Sequence, residues 1–178
     1  KEFCPQRSLL GAAACWIVKP NCSSRGVEVR LTDDMLELAA GKSEGRVVQK
    51  YIERPLLING KKFDLRVWVL VTSWAPLVIW VFPECLARFC SHPFSLNELG
   101  NKYRHLTNVS INKSAATGGD ITWSAEDIKE AVDAQFSAGF WESEVWPQVV
   151  RTCSLAFISA QGVIDQQDNC FELFGCDV

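Results

Sequence analysis

Residues 46–66 read RVVQKYIERPLLINGKKFDLR, and they place an unusual set of charges close together. An apolar stretch runs into Gln49, Lys50, Tyr51 and Ile52, Asn59 and Gly60 supply a turn, and a strand opens on Lys62, Asp64 and Arg66. Alternation puts Lys62, Asp64 and Arg66 on one face of that strand and Phe63 and Leu65 on the other. Two cations and an anion on one face are costly to bury without partners. Two readings follow: a solvated sheet face, or a site for polyphosphate and a metal ion.

Three further segments offer related chemistry. Residues 16–26, WIVKPNCSSRG, set Lys19 at a strand end ahead of a small-residue loop. Lysine is a point charge for phosphate, and Ser23, Ser24, Arg25 and Gly26 would add backbone N–H groups and a guanidinium. A plain hairpin tip explains the same residues. The segment is neither a Walker A loop nor a G-x-G-x-x-G turn. His105, Leu106, Thr107 and Asn108, followed by Asn112 and Lys113, form a polar cluster that would bind a nucleotide or an anion, or cap a turn. Asp177 ends an apolar strand-like segment, CFELFGCDV, where a carboxylate would hold Mg²⁺ or simply face solvent. His92 and His105 have no Ser or Cys at a nucleophile elbow, which argues against a hydrolase triad.

These residues need a scaffold of strands first and helices later. Strands are expected at 15–19 and 27–31, as a hairpin with a polar tip, then at about 46–52, 64–72, 77–82 and 86–89. The Trp74, Ala75, Pro76 break makes the 64–72 and 77–82 strands a hairpin. Asp34 and Glu37 open a helix that carries Met35, Leu36, Leu38 and Ala39 and ends at Gly41. Residues 92–120 read as loop, with a mobile AATGGD at 115–120. Ser124 and Asp127 form a capping box ahead of Ile128, Ala131, Val132 and Phe136 on one helical face. A second helix is expected over about 142–160, with Trp146, Val149, Val150, Cys153, Phe157 and Ala160 inward and Pro147 in its first turns. The order argues for an α+β fold.

Composition bounds the class. A chain of 178 residues that is 48% hydrophobic and 22% charged has enough apolar side chain for one domain or parts of two. Its longest apolar runs are too short to span a bilayer, so no membrane role is expected. Eight cysteines include no C-x-x-C pair, which disfavours zinc. Cys15, Cys85, Cys153, Cys170 and Cys176 sit among apolar neighbours, as thiols of a reducing cytosol do. Residues 1–14 read as an internal segment rather than a targeting peptide. Charge is uneven: residues 42–113 carry 11 basic and 5 acidic side chains, residues 114–178 carry 2 and 11. The basic stretch suits nucleotide phosphates or an acidic peptide. Its aromatics lie in apolar strand runs, so no nucleic-acid partner is expected.

In this order, WIVKP, SRG, VVQKYIERPLLINGKKFDLR, ARF, HLTN and FELFGCD resemble the tubulin–tyrosine-ligase-like family of ATP-dependent amino-acid ligases, from about Cys15 to the end. The resemblance implies an ATP-grasp fold, two α+β lobes sandwiching ATP, with 1–14 as a leading segment, 15–52 as the nucleotide-covering lobe and 53–178 as the C-terminal lobe. It implies that Lys19 contacts phosphate and that Arg25 and Gly26 belong to the loop closing over it. Gln49, Lys50, Tyr51 and Ile52 would read the adenine edge. Lys62 and Asp64 would hold the nucleotide beside Arg66, Arg88 would hold the amino acid or the reacting carboxylate, Thr107 and Asn108 would touch nucleotide, and Asp177 would be the first Mg²⁺ ligand. Two departures stand out. Family loops often read S-x-G-x-G, whereas Glu28 replaces the second glycine here. The chain also stops at Val178, before the family's Glu-x-Asn pair, and most of the N-terminal region is absent; an incomplete, inactive fold is therefore expected of these residues alone.

VTSWAPLVIWVF with FCSHPFSL is more similar to the glycylase branch than to the glutamylase branch. The resemblance thus implies ATP and Mg²⁺ as cofactors, tubulin or microtubule tails as acceptor, and free glycine, or alternatively glutamate, as co-substrate. The setting would be cytoplasmic and cytoskeletal, in a cilium or flagellar axoneme. A glutamate carboxylate would be phosphorylated to an acyl phosphate and then attacked by the amine, work that asks for charge neutralisation and alignment. A microtubule-binding pseudo-ligase and a small-molecule carboxylate–amine ligase are the alternatives.

Overall fold

The computed structural model describes residues 15–34, 36, 45–115, 120–165, 167 and 169–178. The chain divides into two compact units, one of residues 1–63 and 89–121 and the other of residues 64–88 and 122–178. Mixed helix and antiparallel sheet bear out the α+β expectation.

In the first unit, strand β1 (Trp16–Pro20) lies between β2 (Arg30–Thr32) and β3 (Arg46–Lys50), antiparallel to both. The expected hairpin forms, but its second strand starts at Arg30 rather than Val27. Left-handed backbone at Arg25, Gly26 and Glu28 keeps the intervening residues in turns. β3 stops at Lys50, two residues short of expectation. Asn59 and Gly60, both at positive φ, then turn the chain between β4 (Leu57–Ile58) and the start of β5 (Lys61–Trp74). Residues 92–120, read as loop, contain a 3₁₀ turn (Leu96–Glu98) and two single-turn helices, α1 (Lys102–His105) and α2 (Val109–Asn112). Asn112 fastens this segment: its amide donates to Leu106 O at 2.7 Å and its Oδ1 accepts from Ser91 N at 2.8 Å. Both the expected helix at 34–41 and the 115–120 loop lie largely outside the described residues, although Leu36 N donates to Asp34 Oδ1 as a helix start requires.

In the second unit, β5 is paired with β6 (Leu77–Val81) and β9 (Glu172–Asp177), and β7 (Leu86–Phe89) with β8 (Thr122–Trp123). The β5–β6 hairpin is as expected. Val67, Val69 and Val71 are buried on one face of β5. A register shift between Val71 and Ser73 adds a residue, and so Trp74 returns to the buried face despite its even position. There Trp74, Phe157 and Phe174 form a three-ring cluster with centroids 5.1–6.3 Å apart. The opposite face is open: Trp68 is 38% exposed, Trp80 60% and Leu173 57%.

Helix α3 (Ala125–Gln135) begins at the expected capping box, with Ser124 Oγ accepting from Asp127 N at 3.1 Å and Asp127 Oδ2 accepting from Ser124 N at 3.1 Å. Ile128 and Val132 are fully buried, but Phe136 is half exposed and stacks on Phe140 at 4.5 Å, because the helix has ended. Helix α4 (Trp146–Ala160) follows a π-helical turn at Trp141–Val145. Asp133 holds that entry by accepting from Gly139 N and Trp141 N, bonds that keep its carboxyl below the ordinary range. Val149, Cys153 and Phe157 face inward as expected. Cys170 does not behave as a core thiol; it is exposed, whereas Cys15, Cys85 and Cys153 are buried. Among the described residues no helix is long and apolar enough to cross a membrane.

Candidate functional site

The fourteen candidate residues fall into two groups. Lys19, Arg25, Gly26, Gln49, Lys50, Tyr51, Ile52, Lys62, Thr107 and Asn108 belong to the first unit; Asp64, Arg66, Arg88 and Asp177 belong to the second.

Within the first unit, the loop at 24–29 meets the HLTN segment. Gly26 has φ +73° and lies so close to α2 that a Cβ there would sit 2.6 Å from Ile111 Cδ1 and 2.7 Å from Asn108 Oδ1. Only glycine supplies both the left-handed backbone and the space. Ser110 Oγ donates to Arg25 O at 3.4 Å. Arg25, Gly26, Lys102, Leu106, Ser110 and Ser114 are among the residues around a cleft of about 450 Å³, within the range of small-ligand sites. Glu28, the residue in place of the family's second glycine, is 62% exposed in its side chain and pairs with Arg46 at 2.9 Å. Its charge is met by a guanidinium.

Lys19, residues 49–53 and the residues around His105 supply further polar contacts in that unit. Lys19 Nζ donates to Gln49 Oε1 at 2.9 Å across β1 and β3, leaving a full positive charge held by a neutral acceptor. Lys50 is turned inward instead: its ammonium is buried in an ion pair with Glu53 and also donates to Tyr51 O. Glu53 accepts from Cys15 N at 3.1 Å, which ties the start of β1 to the residues after β3. Ile52 is half exposed and Tyr51 buried. Tyr51 Oη and His105 Nδ1 are 3.1 Å apart, His105 Nε2 faces Glu98 O at 3.1 Å, and Lys62 Nζ donates to His105 O at 3.0 Å while lying 5.0 Å from the Tyr51 ring centre. With Glu98 O as acceptor, the neutral imidazole carries its proton on Nε2 and accepts from the tyrosine on Nδ1. Burial pushes the Tyr51 hydroxyl up and the His105 imidazole down from their ordinary values. Thr107 is buried beside this cluster in sequence.

In the second unit, alternation along β5 places Asp64 and Arg66 on the open face. Arg88 donates from Nε and Nη2 to both oxygens of Asp64, at 2.8 and 2.6 Å, a bidentate pair. Antiparallel register sets Arg66 opposite Asp177, and Arg66 Nε donates to Asp177 Oδ1 at 2.6 Å. Arg88 Nη2 reaches the same oxygen at 2.9 Å, closing a chain of four alternating charges. The hydrogen bonds that Arg88 donates to Asp64 raise its guanidinium pKa against the effect of burial. For Asp177, burial pushes the carboxyl up, but the bonds from Arg66 and Arg88 prevail and hold it below its ordinary value.

A divalent cation of the Mg²⁺ type takes about six oxygens. Asp177 Oδ1 is shared by two guanidinium groups, Asp64 is spent on Arg88, and among the described residues no group of three or more His, Cys, Asp or Glu is placed to hold a metal. These residues do not make a cation site by themselves. The first unit carries the excess of cations, and its Gly26 loop packs against Asn108 and Ile111 beside the cleft.

Sequence reasoning missed Glu53, whose signal was a lone carboxylate three residues after Lys50 in an apolar context, and Asn112, which it grouped only as a polar neighbour. It also named His105 without its role, holding Tyr51 on one side and Lys62 through its carbonyl.

Residues 4–178 match the model of the tubulin-tyrosine ligase family. Over 193 residues the chain is 36% identical to tubulin monoglycylase TTLL3 of Danio rerio, which covers 99% of this chain and 25% of that protein. Over 189 residues it is 36% identical to tubulin glycylase 3D of Tetrahymena thermophila, covering 100% and 18%. It is 35% identical over 189 residues to protein monoglycylase TTLL8 of Homo sapiens, covering 97% and 22%. The chain thus spans about a fifth of the length of these curated relatives.

Proposed function

The chain belongs to the tubulin-tyrosine ligase family, and from that premise we propose that the protein is an ATP-dependent ligase that adds glycine to glutamate side chains of tubulin. The observation that carries the reading is the approach of Gly26 to Asn108, 82 positions apart in sequence, which brings the SRG loop and the HLTN segment together beside a cleft in a basic unit. Family-matching segments with no local reason to meet do so where phosphate would be held.

In this proposal the fold is an ATP-grasp and the cations of the first unit, Lys19, Arg25 and Lys62 foremost, hold the triphosphate by charge. A glutamate carboxylate of the acceptor attacks the γ-phosphorus, ADP leaves, and an acyl phosphate forms. The amine of glycine attacks that carbonyl, phosphate departs, its ammonium proton passes to solvent, and an isopeptide bond remains. Arg66 and Arg88, fixed by Asp64 and Asp177, align and neutralise carboxylate or phosphoryl oxygen. Mg²⁺, with Asp177 as the expected ligand, stays in the proposal on the resemblance alone. Association with the cytoskeleton, and with a cilium, follows from the acceptor.

The test supplies the full-length protein with tubulin, ATP and radiolabelled glycine or glutamate. Glycine incorporation that depends on ATP is expected; glutamate incorporation instead makes the protein a polyglutamylase. Microtubule binding with neither product supports a pseudo-ligase, a reading that the sharing of Asp177 Oδ1 by two arginines favours. Gly26→Val, which drives a side chain into Asn108 and Ile111, is expected to lower incorporation per unit ATP by about a hundredfold, measured as kcat/KM for ATP; an unchanged value removes the Gly26 loop from the site.

A further inference from the structure

We propose that Gly175 is a positioning residue for Arg66, its missing side chain being the space in which the guanidinium crosses β9 to reach Asp177. The inference rests on the reading of Arg66 and Asp177 given above and extends it to a residue with no functional group.

Gly175 lies within β9 directly opposite Trp68, two pairs along from Arg66 and Asp177 and on the same face. A Cβ built on it would stand 2.8 Å from Arg66 Nη1, 3.1 Å from Cδ and 3.3 Å from Cζ. Three atoms at the end of one side chain would therefore be struck together, as happens only if the arginine lies across the strand at that point. The usual reasons for glycine in a strand are absent. Its φ is not in the left-handed region, and the β5–β9 register runs without a bulge from Arg66 opposite Asp177 to Val71 opposite Glu172. Glycine weakens a strand interior, so space for Arg66 is the compensating gain.

The guanidinium is then bounded on three sides. Asp177 Oδ1 accepts from Nε, the Trp68 ring centre is 5.8 Å from Cζ, and the Gly175 backbone lies against it on the third side. A methyl group at 175 crowds this arrangement: the backbone is pinned by pairing to β5, so the end of the Arg66 side chain must shift, which disturbs the Nε bond to Asp177. Arg88 keeps its bidentate hold on Asp64 in either case.

The experiment compares Gly175→Ala with Leu173→Ala, a control at the next outward position of β9, in the full-length protein, each with Arg66 intact and with Arg66→Ala. With Arg66 intact, Gly175→Ala is expected to lower kcat/KM for ATP-dependent ligation by roughly tenfold to a hundredfold, while Leu173→Ala is not. In the Arg66→Ala background Gly175→Ala is expected to change the remaining rate by about twofold at most. An equal loss in both backgrounds, or none with Arg66 intact, overturns the proposal. A second readout needs no turnover: the Arg66 Nε–H resonance, assigned by its disappearance in Arg66→Lys, should exchange with solvent at least about tenfold faster in Gly175→Ala as its hydrogen bond to Asp177 is disturbed. Unchanged exchange overturns the positioning role even if the protein ligates nothing, and absent ligation with altered exchange counts against the ligase reading alone.

Discussion

Residues of the first unit include 14 basic and 9 acidic side chains, a net charge of +5, whereas those of the second include 4 and 12, a net charge of −8. The cations are also held differently. In the basic unit Lys19 rests on an amide, a neutral partner that leaves its charge uncancelled, and Lys62 donates to a carbonyl and lies over a ring. In the acidic unit both site arginines are matched by aspartates. The contrast teaches that excess charge and geometric order are separate resources. An uncancelled ammonium attracts a polyanion over a distance, while a guanidinium locked by carboxylates contributes a fixed position.

The sharpest way to break this contrast is through Lys50, a cation of the basic unit that does have an anionic partner at full burial. Lys50→Ala strands the Glu53 carboxylate and is expected to cost about 3–5 kcal/mol, read from urea denaturation. Lys129→Ala, which removes an exposed pair with Glu142 in the acidic unit, should leave the midpoint unchanged. Equal costs would mean that burial is not what separates the two units.

Acid sharpens the contrast next. The folded His105 has its affinity for protons lowered by burial, so below its ordinary value near 6.5 the unfolded chain binds the extra proton first. This histidine's contribution is full above that pH and is lost as the pH falls through and below it. The folded Asp177 is also depressed, from an ordinary 3.8, and its contribution is full above that value and is lost as pH falls further, toward the folded pKa. Denaturation midpoints measured from pH 8 to pH 2 should therefore fall first through a basic-unit group and later through an acidic-unit group. His105→Asn should flatten the upper step and leave the lower one.

The smallest effect expected is local. Ser124→Ala removes half of the capping box of α3 and should cost about 1 kcal/mol, again by urea denaturation, with no change in ligation. A larger loss would show that the acidic unit depends on its helix entry as the basic unit depends on Lys50.

The legible parts of this fold were those whose causes are near in sequence. The capping box at Ser124, the hairpin across Trp74–Pro76, the turn at Asn59 and Gly60 and the alternation that lifts Asp64 and Arg66 to one face all follow from neighbours a few residues apart. The single-turn helices α1 and α2 did not, because four residues show no period and their order comes from Asn112 reaching back to Leu106 and Ser91. Nor was the pairing of Arg66 with Asp177 readable, since it joins residues 111 positions apart and depends on which edge of β5 the last strand takes. Lys50 shows the limit most plainly: a motif marked it as a site residue, but only burial against Glu53 reveals that its ammonium faces the interior.

The open face of the β9, β5 and β6 sheet gives the molecule its own optical gauge. Of the seven tryptophans, Trp68 and Trp80 stand in solvent there while Trp74 and Trp141 are enclosed. Emission from the two exposed indoles should be red-shifted and open to a dissolved quencher. Whatever comes to cover that face will therefore announce itself as a blue shift and a loss of quenching, without any added label.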